Sequence, residues 1–157
     1  MRKQQIISTP QNAATSDEDW LDIVRAASVE VTSEEPGFPV ESALVAETSQ
    51  GWRAADSGAQ TIRLIFDEPR RLRRIRLVFE DNQGGRTQEF VLRWSPDGGH
   101  SFREIVRQQW NFSQPDAVRE IENYAVELSE VTVLELIISP DQSGGKVRAS
   151  LANLRLA

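Results

Sequence analysis

The stretch Glu89-Phe90-Val91-Leu92-Arg93-Trp94-Ser95-Pro96-Asp97-Gly98-Gly99-His100-Ser101-Phe102 decides the fold class of this 157-residue chain. Phe90, Leu92 and Trp94 fall on one side of an extended backbone and Val91 and Arg93 on the other, the period of two of a half-buried strand. Asp97-Gly98-Gly99 then supplies residues that tolerate positive φ at little steric cost, so the strand can turn back on itself. The predicted element is a hairpin, and His100 beside it reads first as a residue flanking the turn.

The same pattern extends outward in both directions. Ile62, Leu64 and Phe66 alternate with Thr61, Arg63 and Ile65, and Asp67-Glu68-Pro69 closes that run; Ile75, Leu77 and Phe79 alternate with Arg74, Arg76 and Val78, and residues 81–85 close it. Val29 and Val31 mark an earlier strand, and further strands are expected at about 101–108, 118–128, 131–138 and 146–156. About eight short strands with Gly-Gly or Asp-Gly turns, and no long helical segments between them, predict an all-β sandwich or barrel. Ahead of them, residues 1–15 read as a polar arm. Ser16 with Asp19 resembles a capping box, and Trp20, Ile23, Val24 and Ala27 recur at helical spacing, so a short helix is expected over 17–27 with Trp20 as its anchor. The expected organisation is an arm and helix at 1–27 and a sandwich at 28–157.

Composition narrows the chemistry. The chain has no cysteine and one histidine, which removes disulfides, thiolate zinc sites, cysteine nucleophiles and metal sites built on several imidazoles. The net charge is −6, which opposes long-range attraction to nucleic acid or anionic membranes. Sixteen of the 18 basic residues are arginine, and eleven of those lie between Arg53 and Arg107 among eight acids. Arg74, Arg76 and Arg93 alternate with core positions: a solvated sheet face accounts for them, and an acidic partner or acidic sugar is the other reading. No stretch approaches 18 apolar residues, and no apolar run of signal-peptide length follows Met1-Arg2-Lys3, so a cytoplasmic location is expected.

The order of these signals from about Ala27 to Ala157 resembles the discoidin family (coagulation factor V/VIII type C domains), within the galactose-binding-like jelly rolls. The resemblance is carried by Val29-Glu30-Val31-Thr32-Ser33, Gly51-Trp52-Arg53-Ala54, Gln60 to Phe66, Leu72-Arg73-Arg74-Ile75-Arg76-Leu77, the hairpin quoted above, Val133 to Ile138 and Ala149 to Leu156. It implies a discoidin-like jelly-roll β-sandwich and a binding module rather than an enzyme. Many members hold a structural calcium ion; here Ser42 or Ala43 falls near one expected carboxylate and Asn153 stands where a closing-strand glutamate is expected. Two missing charges argue against a cation that prefers hard anionic oxygens, so no cofactor is expected. The disulfide that joins the ends of many extracellular members is also absent, which fits a reducing compartment.

Sugar recognition needs flat apolar faces and planar polar groups that take two hydroxyls at once. Three loops have that mixture: residues 35–39 with Phe38, residues 80–86 with Asn82 and Arg86, and residues 109–116 with Trp110, Asn111 and Phe112. Each also has a purely structural reading: Phe38 packed on the core, Arg86 paired with Glu80 or Glu89, and Trp110 or Phe112 plugging the sandwich. Two functions follow, a carbohydrate-binding module and a protein-interaction module, with no enzyme, nucleic-acid or transmembrane role expected and the oligomeric state left open.

Overall fold

The computed structural model describes residues 20–45, 50–80, 85–112 and 119–157. They form helix α1 (Ile23–Ala26) and eight strands: β1 (Ala27–Val31), β2 (Trp52–Ser57), β3 (Gln60–Glu80), β4 (Arg86–Ser95), β5 (Arg103–Phe112), β6 (Arg119–Ser139), β7 (Arg148–Leu151) and β8 (Asn153–Leu156). All strand pairings are antiparallel. The architecture is the expected jelly-roll sandwich.

Two long strands organise it. β3 and β6 pair along their whole lengths, from Gln60 against Ile138 to Glu80 against Arg119, with register shifts between Ile65 and Arg74. These irregularities turn the pair through a corner. Before the corner β3 and β6 lie between β1 and β4, with β5 outermost; beyond it β8 joins β3 at Ile75 to Val78. The two layers close on one core of Ile62, Leu64, Phe90, Leu92 and Leu136 against Leu72, Ile75, Leu77, Phe79 and Leu156. Phe79 meets Phe90 at 5.2 Å between centroids, tilted by 33°. Trp52 and Leu151 of the separate β2–β7 pair are buried in the same cluster.

The structure corrects several expectations about the elements; among them, the single strand expected over 146–156 is two, β7 and β8. Asp67-Glu68-Pro69 does not end a strand, and 118–128 and 131–138 are not separate; each pair of runs is one bent strand of 21 residues. The described helix is only Ile23–Ala26, since Ala27 already pairs with Phe66; residues 17–19 and the arm lie outside the described residues. Residues 109–112 are not a loop but the end of β5.

The quoted hairpin is present, with Gly98 and Gly99 at φ of +75° and +97°. Asp97 accepts hydrogen bonds from the Ser95 and Ser101 hydroxyls at 2.6 Å and from Ser101 N at 2.9 Å, which hold its carboxyl well below the usual range. His100 Nδ1 lies 2.7 Å from Asp97 O, so both polar residues are occupied in shaping the turn.

Candidate functional site

The register puts one set of connections at the Gln60, Glu80 and Arg86 end of the sandwich. There the chain leaves β1 through residues 32–39. Glu35 N donates to Arg53 O at 2.8 Å, Arg53 N to Phe38 O at 3.3 Å, and Phe38 N to Glu35 O at 2.9 Å, with Gly37 at φ +90° completing the turn. The loop is thereby pinned to β2. Phe38 is half-buried, and the Arg53 guanidinium lies 4.6 Å from its ring centroid. The Glu35 carboxylate sits 3.9 Å from Arg53 and accepts from Arg148 Nη1 at 2.7 Å. An aromatic ring, two guanidinium forks and the carboxylate that aims them are thus assembled at the surface, while Arg53 Nε is sealed from solvent with no hydrogen-bond partner among the described residues. Arg53 and Arg148 are distant from Phe38 in sequence: the loop's hydrogen bonds to β2 bring Arg53 to the ring, and the pairing of β2 with β7 brings Arg148 to Glu35.

The other expected site residues are arranged differently. Arg86 and Phe112 are register partners, with the guanidinium 4.5 Å from the ring and its Nε donating to Pro140 O at 2.6 Å. Both are buried, Phe112 at 2% exposure. Glu89 accepts from Arg107 and Glu80 from Arg119. Trp110, half-buried, pairs with Gln88 on the same inward side, and its Nε1 is sealed from solvent. Asn111, one residue along, faces the opposite way, where its Oδ1 accepts from Thr87 at 2.6 Å. Trp110, Asn111 and Phe112 therefore do not converge on a ligand: strand alternation separates the amide from the rings. Asn82 lies outside the described residues.

A second cluster went unnoticed in the sequence. Glu120, Glu122 and Tyr124 on β6 register with Phe79, Leu77 and Ile75, so all three point into the gap between the layers. Tyr124 donates its hydroxyl to Glu122 at 2.8 Å, and burial, then this bond, raise the phenol above its ordinary range. Glu120 is 2% exposed and neither oxygen meets a donor. Its neighbour is another carboxyl, so a proton held on Glu120 turns the contact with Glu122 into a hydrogen bond. Burial first, then Glu122, push its pKa up to about 8. The alternation Glu120, Glu122, Tyr124, Val126, Leu128 was the available signal, masked because its first two inward positions are acidic.

The arginine row is divided between the layers. Arg63, Glu135 and Arg93 are register neighbours, and the buried Glu135 accepts from Arg63 Nε at 2.7 Å and Arg93 Nε at 2.5 Å. Arg93 also lies over Phe102. Arg74 and Arg76 belong to the other layer, opposite Ala125 and Asn123.

The closing strand does not fit a calcium ion. Asn153 Nδ2 lies 3.2 Å from Ala43 O and 2.6 Å from Val45 O. Carbonyl oxygens only accept, so the amide nitrogen must be the end that faces them. Two N–H groups thus bridge the loop to β8 where a cation would need oxygens. Among the described residues no group of three or more His, Asp or Glu side chains is placed to hold a metal.

No family model and no curated protein matches this sequence. Solved structures do. The CBM32 module CpGH89CBM32-5 from Clostridium perfringens, in complex with GalNAc-beta-1,3-galactose, is 19% identical with a TM-score of 0.65, over 88% of this chain and 99% of that one. The CBM32 of AlyQ, in complex with 4,5-unsaturated mannuronic acid, is 14% identical with a TM-score of 0.63, over 88% and 97%. Reduced XRCC1 bound to the DNA polymerase beta catalytic domain is 12% identical with a TM-score of 0.58, over 85% and 95%. At these identities the likeness is one of fold: the chain shares the antiparallel jelly-roll β-sandwich of these structures.

Proposed function

We propose that this chain is a non-catalytic carbohydrate-binding module. The observation that carries the reading is the surface group of Phe38, Arg53, Glu35 and Arg148. A ring offers an apolar wall to the C–H face of a sugar, and a guanidinium held in place by a carboxylate presents paired donors to neighbouring hydroxyls. The partners already fix these side chains, so little rotamer freedom remains to be lost on binding. Carbohydrate complexes among structures of the same fold support the same reading. A glycan array followed by titration tests it. Phe38→Ala should weaken binding of the best neutral glycan roughly tenfold, the loss of about one stacking contact. A folded sample silent across neutral and acidic sugars would overturn the proposal.

A protein-interaction role is the second reading, favoured by the edge of β6. Residues 119–128 pair with β3 on one side and with no strand on the other among the described residues. Ile121 on that edge is 44% exposed. Such an edge can accept an added strand. Association with a partner protein that survives Ile121→Lys would count against that use of the edge.

A further inference from the structure

At the corner of the sandwich, away from the Phe38 group, Leu21 N donates to Leu156 O at 2.7 Å and so sets Trp20 against the outer side of the β8 layer. The Arg74 guanidinium lies 4.6 Å from the Trp20 ring and that of Arg155 5.8 Å from it. Arg155 is 9% exposed, its Nε has no hydrogen-bond partner, and neither it nor Arg74 has a carboxylate partner among the described residues. Several arginines elsewhere are held by carboxylates instead: Arg63 and Arg93 share Glu135, Arg107 bridges Glu89, and Arg148 bridges Glu35. Two guanidiniums on one indole, neither paired with a carboxylate side chain among the described residues, concentrate positive charge in a partly desolvated place.

Beside them opens a cavity of about 260 Å³ lined by Trp20, Arg74, Ile75, Asn123, Tyr124 and Ala125. That is close to the lower bound of small-ligand pockets, roughly 300 Å³, and admits one ring rather than an extended chain. Its lining is chemically mixed: the Trp20 indole, the Arg74 guanidinium, the Asn123 amide and Ala125 lie on the outer side of the sheet, while Ile75 and Tyr124 border it at positions whose side chains turn inward. The geometry points to a second binding site, distinct from the Phe38 group, that takes the carboxylate of an acidic sugar, a hexuronate, on Arg74, its hydroxyls on Asn123 and its apolar face against the Trp20 indole. A carboxylate alone would need only the arginine. The amide and the indole are what favour a sugar acid over an acidic peptide. The class of ligand rests on the glycan-binding reading above, whereas the position of the site does not.

The experiment is titration of oligohexuronates, their neutral counterparts and an oligoglutamate peptide into the wild-type chain, Arg74→Gln, Asn123→Ala and Phe38→Ala, with 15N chemical shifts recorded for the Trp20 indole N–H. Arg74→Gln should weaken hexuronate binding by about 10- to 100-fold, the loss of a charge-assisted pair. The Trp20 resonance should move with hexuronate, and Phe38→Ala should leave that movement unchanged. If Arg74→Gln fails to fold, the Trp20 shift and Asn123→Ala still decide. Hexuronate binding that ignores Arg74 and Asn123, a Trp20 resonance that stays still, binding of the peptide in preference to the sugar, or no hexuronate binding at all each overturn the inference. In any of these cases neutral-glycan binding that depends on Phe38 leaves the first site standing, and its absence removes both.

Discussion

Replacing Glu120 by glutamine isolates the buried carboxyl pair. In the unfolded chain Glu120 titrates near 4.5, and in the folded protein burial and Glu122 raise this to about 8. Between those values the folded state holds a proton that the unfolded state has released, so stability falls as pH rises, by about 1.4 kcal/mol per pH unit. Below about pH 4.5 both states are protonated and the effect vanishes; above about 8 both are ionised and the full penalty is present. From pH 5 to pH 8 the wild type should lose about 3 kcal/mol through this group, or roughly 6 to 12 °C in Tm for a domain of this size. Glutamine keeps the shape and can donate to Glu122 without titrating. Urea melts at pH 5, 6, 7 and 8, at constant ionic strength, should give Glu120→Gln a nearly flat profile and the wild type a falling one. Parallel profiles would mean that Glu120 ionises normally, and the inward placement of this half of β6 would then be wrong.

Two other perturbations bear on the same architecture. Asn153→Asp turns a double donor into a carboxylate facing the Ala43 and Val45 carbonyls; it should cost about 2 to 4 kcal/mol in urea unfolding, more than Asn153→Ala, and equal stability of the two variants would contradict the bridging role. Gly51 has φ +82°, and a Cβ there would meet Leu151 O at 2.6 Å and Ala152 Cα at 2.9 Å. Gly51→Ala should therefore lower stability by about 2 kcal/mol or more, and a Tm within a degree of wild type would refute the close approach of β2 to the turn before β8.

The inward rows were legible because alternation reports burial directly. Ile62, Leu64 and Phe66, then Ile75, Leu77 and Phe79, then Phe90, Leu92 and Trp94 are all in the core, as their spacing predicts. The corner was not legible. Asp67-Glu68-Pro69 has turn chemistry, yet the strand bends through it with exposed side chains, and a bulge resets the period in the same way as a break. Residues 109–112 read as a loop because their amides and aromatics suggest a ligand, although Trp110 and Phe112 continue an inward row across from Gln88 and Arg86. Among the described residues, Phe38 is the one expected site residue that stands in a surface group suited to a sugar. Glu35 shares its loop, but Arg53 and Arg148 come from distant parts of the chain, and long-range pairing carries no local sequence signal. The Trp20 pocket was hidden for the same reason, since Trp20, Arg74 and Asn123 meet only after the corner folds.

The shared strands have a consequence for how the molecule comes apart. β3 and β6 each belong to both layers and are paired from end to end, across a sequence separation that runs from about 40 to nearly 80 residues. Neither layer can open without breaking the ladder that holds the other, so the sandwich lacks a seam along which it could unzip in stages. Amide protons along this ladder should exchange only through global unfolding. Such distant pairing also makes folding slow, because much of the chain must be enclosed in large loops before the central ladder can begin to form.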